Sequence, residues 1–206
     1  MLVLATTRAN LRRLLSDESV PYTWSDAKLD QYINEATRWL SLGQRPALWT
    51  EAIDDTVTTI VDQYEYALPT GFFRVFDIWK ETISGDDTSY KLLRNWRVFG
   101  GNFQLGIYDR PDEAGLKYRL RGAKKYTVIT EVEDEYETII LNYAVSRAFD
   151  DISSKMTQFN VYSAKLQNIS RNDVRLKAQY HLTLAKQDKQ DNKKALKPVY
   201  QATGAF

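Results

Sequence analysis

The residues equipped for chemistry are few. His181 is the one histidine of the 206-residue chain, and there is no cysteine. A catalytic triad needs a nucleophile and an acid brought to the histidine in space, and a zinc site needs more ligands than one His when Cys is absent. His181 therefore reads as a polar-face or partly packed side chain. The run EVEDEYE supplies Glu131, Glu133, Asp134, Glu135 and Glu137. Carboxylates so spaced can do acid–base work or hold a hard cation. The run lacks the glycine and alternating ligands of an EF-hand loop. It directly precedes a helical pattern, where the helix dipole favours negative charge. Asp54-Asp55 and Asp150-Asp151 are equally unspecific. GDDTS and FGGNFQLG contain glycines but match no phosphate-binding loop. KYRLRGAKKY, from Lys117 to Tyr126, interleaves basic and aromatic residues. It would stack on single-stranded nucleic acid, or equally guard an exposed strand edge.

The totals narrow the class. Formal net charge is +1, with 43% hydrophobic and 27% charged residues, close to globular norms and without the overall basic footprint of a nucleic-acid binder. The basic excess is local: from Lys165 to Lys197 there are nine Lys or Arg against three Asp. The absence of cysteine excludes disulfides and thiolate chemistry and fits a reducing compartment. No stretch approaches the roughly 20 apolar residues that cross a bilayer. The opening MLVLATTRANLRRLL puts its apolar run before its positive charges, the reverse of a secretory signal.

Several elements would position these residues. A short helix is expected over Thr6–Leu15. A second follows Ser25, a good N-cap, with Leu29, Tyr32, Ile33, Ala36 and Leu40 recurring every three or four residues and Gly43 and Pro46 as its stop. From Trp49 to about Leu120 the helical period disappears. Thr56–Val61, YEYAL (Tyr64–Leu68), FFRVFDIWK (Phe72–Lys80), Tyr90–Leu93, Asn102–Tyr108 and Leu116–Arg121 read as strands of one small antiparallel sheet. Pro69–Gly71 forms a turn and SGDDTS a hairpin loop. Strict alternation over Phe72–Trp79 puts Phe73, Val75, Asp77 and Trp79 on one face. Helical pattern returns near Asp134 and breaks weakly at KMTQFN. One long amphipathic segment then runs from Val161 to Gln187, in which Asp173 fills an expected apolar position. The end of the chain is basic and polar, a composition that stays unfolded when free.

The fold class expected is α+β, mainly helical: a helical bundle with an inserted small antiparallel β region, a long C-terminal helix and an extended tail. It is taken as one domain over 1–206, with helical core at about 6–46 and 134–187, β insertion at about 49–121 and basic tail at about 188–206.

The order of three motifs resembles the head-to-tail connector, or adaptor, proteins of tailed bacteriophages. They are a W-S/T-D-x-x-L-x-x-Y-I/L-N-E-A helix (Trp24, Ser25, Asp26, Leu29, Tyr32, Ile33, Asn34, Glu35, Ala36), an E-Y-x-L-P-x-x-F-x-R-V segment (Glu65, Tyr66, Leu68, Pro69, Phe72 or Phe73, Arg74, Val75) and a Y-x-x-x-I-x-x-Y-A helix start (Tyr136, Ile140, Tyr143, Ala144). The resemblance covers roughly Thr6–Gln187, and Ser84–Gly115 matches nothing in the family pattern. It implies a structural virion protein rather than an enzyme, without cofactor or metal. Such a protein forms a ring, usually dodecameric, beneath the portal protein. The ring extends the DNA channel, offers a platform to tail or tail-hub proteins, and sits at the head–tail junction of a virion assembled in host cytoplasm. It also implies that the C-terminal segment reaches the portal. Lys189, Lys193, Lys194 and Lys197 would meet an acidic surface there, while Tyr200 and Phe206 anchor in apolar grooves. Tyr64, Tyr66, Phe72, Phe76 and Trp79 are the candidates for a subunit or tail interface. Two alternatives stay open: a nucleic-acid-binding module using the basic tail and KYRLRGAKKY, and a cell-wall hydrolase of a tail hub using Glu131–Glu137.

Overall fold

The computed structural model describes residues 1–42, 48–86, 88–166 and 169–193. These fall into two compact units, one from Met1–Leu48 with Tyr126–Lys194 and one from Trp49–Lys125.

The first unit holds five α-helices among the described residues: α1 (Leu4–Leu14), α2 (Asp26–Leu40), α3 (Glu137–Ser154), α4 (Met156–Lys165) and α5 (Arg171–Asp191). Helix α2 starts where Ser25 accepts a hydrogen bond from the Lys28 amide at 3.3 Å, the capping arrangement that satisfies an orphan N–H. Its three-and-four spacing buries Leu29, Tyr32, Ile33, Ala36 and Leu40, each large apolar side chain contributing about 1.5–3 kcal/mol. Helix α3 packs on α5 and α2. Ala144, Ala148, Ala178 and Ala185 are all buried, and their small side chains let helices approach closely. Leu11, Leu15, Ile140, Ile152 and Val174 complete the same core.

The second unit holds seven strands among the described residues, in two antiparallel sheets. Strands β1 (Thr50–Thr58), β7 (Lys117–Lys124), β3 (Phe72–Glu81) and β4 (Tyr90–Leu92) lie side by side in that order, and β2 (Glu65–Ala67), β6 (Asn102–Leu105) and β5 (Trp96–Phe99) form the smaller sheet. The Pro69–Gly71 turn joins strands of different sheets. Val75, Ile78, Tyr118 and Leu120 from the larger sheet meet Tyr66, Trp96, Phe103 and Leu105 from the smaller one, so facing apolar surfaces make the core of this unit.

The mainly helical bundle expected from the sequence is not what forms. The described chain is 45% helical and 22% strand, with the strands in two sheets. The local period reveals strands but not which strands pair. The expected alternation in β3 fails because the pairing with β7 shifts register between Phe72 and Arg74 and again between Val75 and Asp77. Each irregularity changes which side the following residues face. Val75 and Ile78, an odd distance apart, therefore share one core, while Phe73 and Phe76 join Trp49 and Ala123 in another. All of KYRLRGAKKY but Lys125 and Tyr126 forms β7, the strand between β1 and β3, not an edge. The expected continuous Val161–Gln187 helix is two helices. Asp173 is no apolar position: with Ser170 it forms the capping box that starts α5, Ser170 Oγ accepting from the Asp173 amide at 3.1 Å and the Asp173 carboxylate from the Ser170 amide at 2.9 Å. Of KMTQFN, all but Lys155 lies inside α4. Gly43 and Pro46 lie outside the described residues.

Three substitutions test this packing, read by urea unfolding of the full chain. Ile33→Ala, in the first unit's core, is expected to cost about 2–5 kcal/mol. Ile53→Ala, on exposed β1, should stay within about 0.5 kcal/mol. A Cβ on Gly122 would stand 2.2 Å from the Arg74 carbonyl oxygen, so Gly122→Ala is expected to cost about 1–3 kcal/mol by overpacking.

Candidate assembly surfaces

The N-terminal part of the first unit is tied together by one carboxylate. Asp17 is fully buried and follows Ser16, which turns the chain out of α1 with a positive φ of 53°. Its oxygens accept from the Arg12 guanidinium at 2.9 Å, the Lys165 ammonium at 2.7 Å, and the amides of Thr23 and Trp24 at 2.7 and 3.2 Å. Arg12 also donates to the Trp24 carbonyl at 3.0 Å and to Asp26 at 2.6 Å, and lies over the Tyr22 ring at 3.9 Å. Hydrogen bonding to Arg12 holds the Asp26 carboxyl below its usual range. The Trp24 ring packs edge-on against Tyr162 at 5.4 Å and Phe149 at 6.4 Å. α1, the start of α2, α3 and the end of α4 thus meet at this point.

At the far end of α5, Lys189 donates to the Trp39 carbonyl and places its ammonium 4.1 Å from the Trp39 ring centroid. The other partner of that ring is Tyr143 of α3, stacked at 4.7 Å. Burial pushes the Lys189 ammonium down to about 8. The carbonyl and the indole face work against that shift, because both favour the cation. Of the residues expected to meet a partner, Lys189 is therefore half-buried in this stack and Lys193, just past α5, is exposed. Lys194, Lys197, Tyr200 and Phe206 lie outside the described residues.

A polar cleft of about 420 Å³ is bordered by Tyr32, Glu35, Arg147, Asp151 and Arg175 of α2, α3 and α5. Tyr32 donates to Asp151 at 2.8 Å, Lys155 reaches the same carboxylate at 2.9 Å, and Arg147 pairs with Glu35 at 3.5 Å. Burial alone would raise the Asp151 carboxyl; the bonds from Lys155 and Tyr32 outweigh it and hold it low. Burial and the bond to Asp151 push the Tyr32 phenol far up. Ser153 and Ser154 donate to backbone carbonyls, those of Asp150 and Asp151, not to a base. The charges here are mutually matched, an arrangement suited to holding helices or a polar partner.

The residues singled out for chemistry are drawn into structure. His181 Nδ1 lies 2.9 Å from the Asn142 side-chain oxygen, and burial followed by Lys177 lowers its pKa. In the acidic run, Glu131 accepts from Thr127 and Val128 amides, Glu133 from the Tyr126 phenol, Glu137 from Asn10, and Asp134 pairs with the Met1 amine. Among the described residues no group of three or more acidic or His side chains is placed to hold a metal ion. In β7, Arg121 pairs with Asp77 and Glu51 and Arg119 lies over Tyr90 at 4.0 Å, while Tyr118 is buried. The segment therefore offers no free row of stacking rings.

The five interface candidates of the second unit separate. Tyr66 and Phe76 are buried, Phe72 and Trp79 half-buried, and Tyr64 exposed. Tyr66 stacks on Phe103 at 5.2 Å and meets Tyr118 edge-on at 5.0 Å, and its hydroxyl donates to the carbonyls of Ile60 and Gln63 and accepts from the Ile60 amide. It supports from beneath a patch that sequence reading missed. The Asp62 amide bonds to Pro111 and the Leu105 amide to Tyr64, bringing residues 60–64 beside 105–111. Ile60, Val61, Tyr64, Ile107 and Tyr108 are all exposed there, Tyr108 at 92%. A pocket of about 210 Å³ lies there, lined by Tyr64, Arg97, Leu105, Ile107 and Arg110. The signal that could have found it is the Gly106 and Pro111 pair: a segment so bounded leaves its strand, and apolar side chains on a loop have no sheet face to cover them.

One family model, described as SU10 adaptor protein, matches residues 4–188. No curated protein matches the chain.

Two outcomes follow from the first unit. Asp17→Asn leaves the cations of buried Arg12 and half-buried Lys165 short of charge and is expected to cost about 3–5 kcal/mol, whereas exposed Asp26→Asn should be far milder; thermal and urea unfolding measure both. For Lys189, folding lowers the pKa from the ordinary 10.5 to about 8. Below that value both states hold the proton; between it and 10.5 the unfolded chain holds more, so stability rises with pH. The stability difference between the unaltered chain and Lys189→Met should rise by on the order of 1 kcal/mol from about pH 7.5 to 9.5, and a flat difference would remove the buried cation.

Proposed function

The chain belongs to the SU10 adaptor protein family, and we propose that it works as one subunit of a ring beneath the phage portal, joining head to tail and prolonging the DNA channel. Membership makes it a phage structural adaptor and a component of the virion. Within the proposal, copies associate into a dodecamer, the portal binds one side of the ring, a tail or tail-hub protein binds the other, and DNA passes without sequence-specific contact.

The observation that carries the reading is the exposed apolar group of Ile60, Val61, Tyr64, Ile107 and Tyr108. Exposed apolar side chains gathered on two loops that are hydrogen-bonded to each other mark a surface suited to cover by protein, and aromatic residues dominate the energetics of such interfaces. Tyr64 contributes directly, while buried Tyr66 and Phe76 hold the strands beneath. Phe72 and Trp79 present partial surfaces. The basic end supports the portal contact. Lys193 is exposed beyond α5, and in this reading it acts with Lys194, Lys197, Tyr200 and Phe206 against an acidic collar, while Lys189, engaged with Trp39, holds the end of α5 in place. No described helix is long and apolar enough to cross a membrane, in keeping with assembly on a protein platform.

Mixing the purified chain with its portal ring and weighing the product by native mass spectrometry tests the proposal. A stoichiometric complex is expected. Reversing charge at Lys193, Lys194 and Lys197 together should weaken it at least about tenfold, while Ile107→Ser with Tyr108→Ser should weaken subunit or tail association with far-ultraviolet CD unchanged. A chain that stays monomeric beside the portal would overturn the ring.

A further inference from the structure

The larger sheet has an even number of strands, each antiparallel to its neighbours, in the order β1-β7-β3-β4. β1 and β4 therefore run in opposite directions. Two copies related by a rotation that preserves strand direction can place β4 of one beside β1 of the next with the antiparallel alternation unbroken. A two-fold axis between like edges would give one closed pair, whereas the β4-to-β1 contact repeats indefinitely, the heterologous geometry a ring requires.

The edges differ in chemistry in the sense this contact needs. β1 is nine residues long and among the described residues pairs only with β7 on one side. Exposed edges are normally guarded by Lys, Pro or brevity. Thr50–Thr58 contains no Lys, Arg or Pro and carries Glu51, Asp54 and Asp55. Its regular pairing with β7 runs from Thr50 to Asp54, and a register shift between Asp54 and Val57 limits the docking length to about that stretch. β4 and its flanks, from Ser89 to Asn95, carry Lys91 and Arg94 and no acid. Each edge also shows an apolar side chain to solvent, Ile53 at 65% and Leu92 at 44%.

We propose that the second unit of each copy docks the acidic β1 edge against the basic β4 edge of the next copy, so that one antiparallel sheet continues from subunit to subunit. Main-chain hydrogen bonds over residues 50–54 and 90–93 supply the contact, the opposite charges set its polarity, and Ile53 and Leu92 lose water together. This rests on the ring reading and adds the strands that would close it.

The chain has no cysteine, so introduced ones report without background. β1 and β4 lie three strand spacings apart within one copy, about 14 Å, and a disulfide spans at most about 7 Å between Cα atoms. A bond between Ile53→Cys and either Lys91→Cys or Leu92→Cys must therefore join two copies. The full chain carrying each pair is oxidised alone and with the portal ring, its mass measured, and the products resolved without reductant. Ladders of cross-linked copies from at least one pair are expected. Asp54→Lys and Lys91→Glu should each weaken assembly at least about tenfold, and the double swap should restore it. Oligomers that form without these disulfides, or that ignore both charge reversals, overturn the edge contact and leave the ring standing. A chain that does not oligomerise even with the portal overturns both.

Discussion

Folding of the first unit depends on satisfying a carboxylate that has left water. Asp17 is fully buried, and an isolated buried charge is prohibitively unfavourable. Its solution is to collect two cations and two amides from three parts of the chain. That requirement sets where the loop after α1 can run, brings the end of α4 to it through Lys165, and fixes Arg12 in position for Asp26 at the head of α2. Trp24 then lies against Phe149 and Tyr162 because its own amide is held by the same carboxylate. The motif through which the chain resembles the adaptor proteins begins at this Trp24. It is therefore the visible part of a packing constraint and not a ligand site.

The second unit solves a different problem. Short strands bury little each, so stability comes from cross-sheet aromatic packing: Tyr66, Phe103 and Tyr118 meet at 5.0–5.5 Å between centroids. Concentrating rings inside frees the outer strands and loops from packing duty. This is why Phe99, Ile107 and Tyr108 can stand in solvent on a well-anchored framework.

What was legible in the sequence follows from the range of each signal. α2 was readable because cap, dipole and apolar spacing are all local. A β region at about 49–121 was readable from β-branched and aromatic runs, but the first strand was expected at Thr56–Val61 and forms at Thr50–Thr58, and Trp96–Phe99 was not foreseen as a strand. Pairing was not, because it joins residues far apart: β7 looked like a guarded edge, yet it is central, its arginines matched by Asp77, Glu51 and the Tyr90 ring. The bulges in β3 moved Phe76 away from its expected partners without any Gly or Pro in β3 itself; the glycine that accommodates them, Gly122, lies on the partner strand β7. Asp173 announced a helix start and was mistaken for a defect in a longer helix. At the candidate surfaces, residue type identified Tyr64 and the basic end. It did not separate exposed Tyr64 from buried Tyr66, which the register with β6 decides.

The chain enters and leaves the second unit at neighbouring points. Thr50 and Lys124 are partners in the same ladder, and on the helical side the Ser41 hydroxyl donates to the Leu48 carbonyl and accepts from the Tyr126 amide. A segment of some 75 residues with adjacent ends is a cassette. Replacing it, lengthening it or removing it leaves a gap that a short turn can close, at little entropic cost. Descent could therefore exchange the β portion while the helical portion stayed as it was.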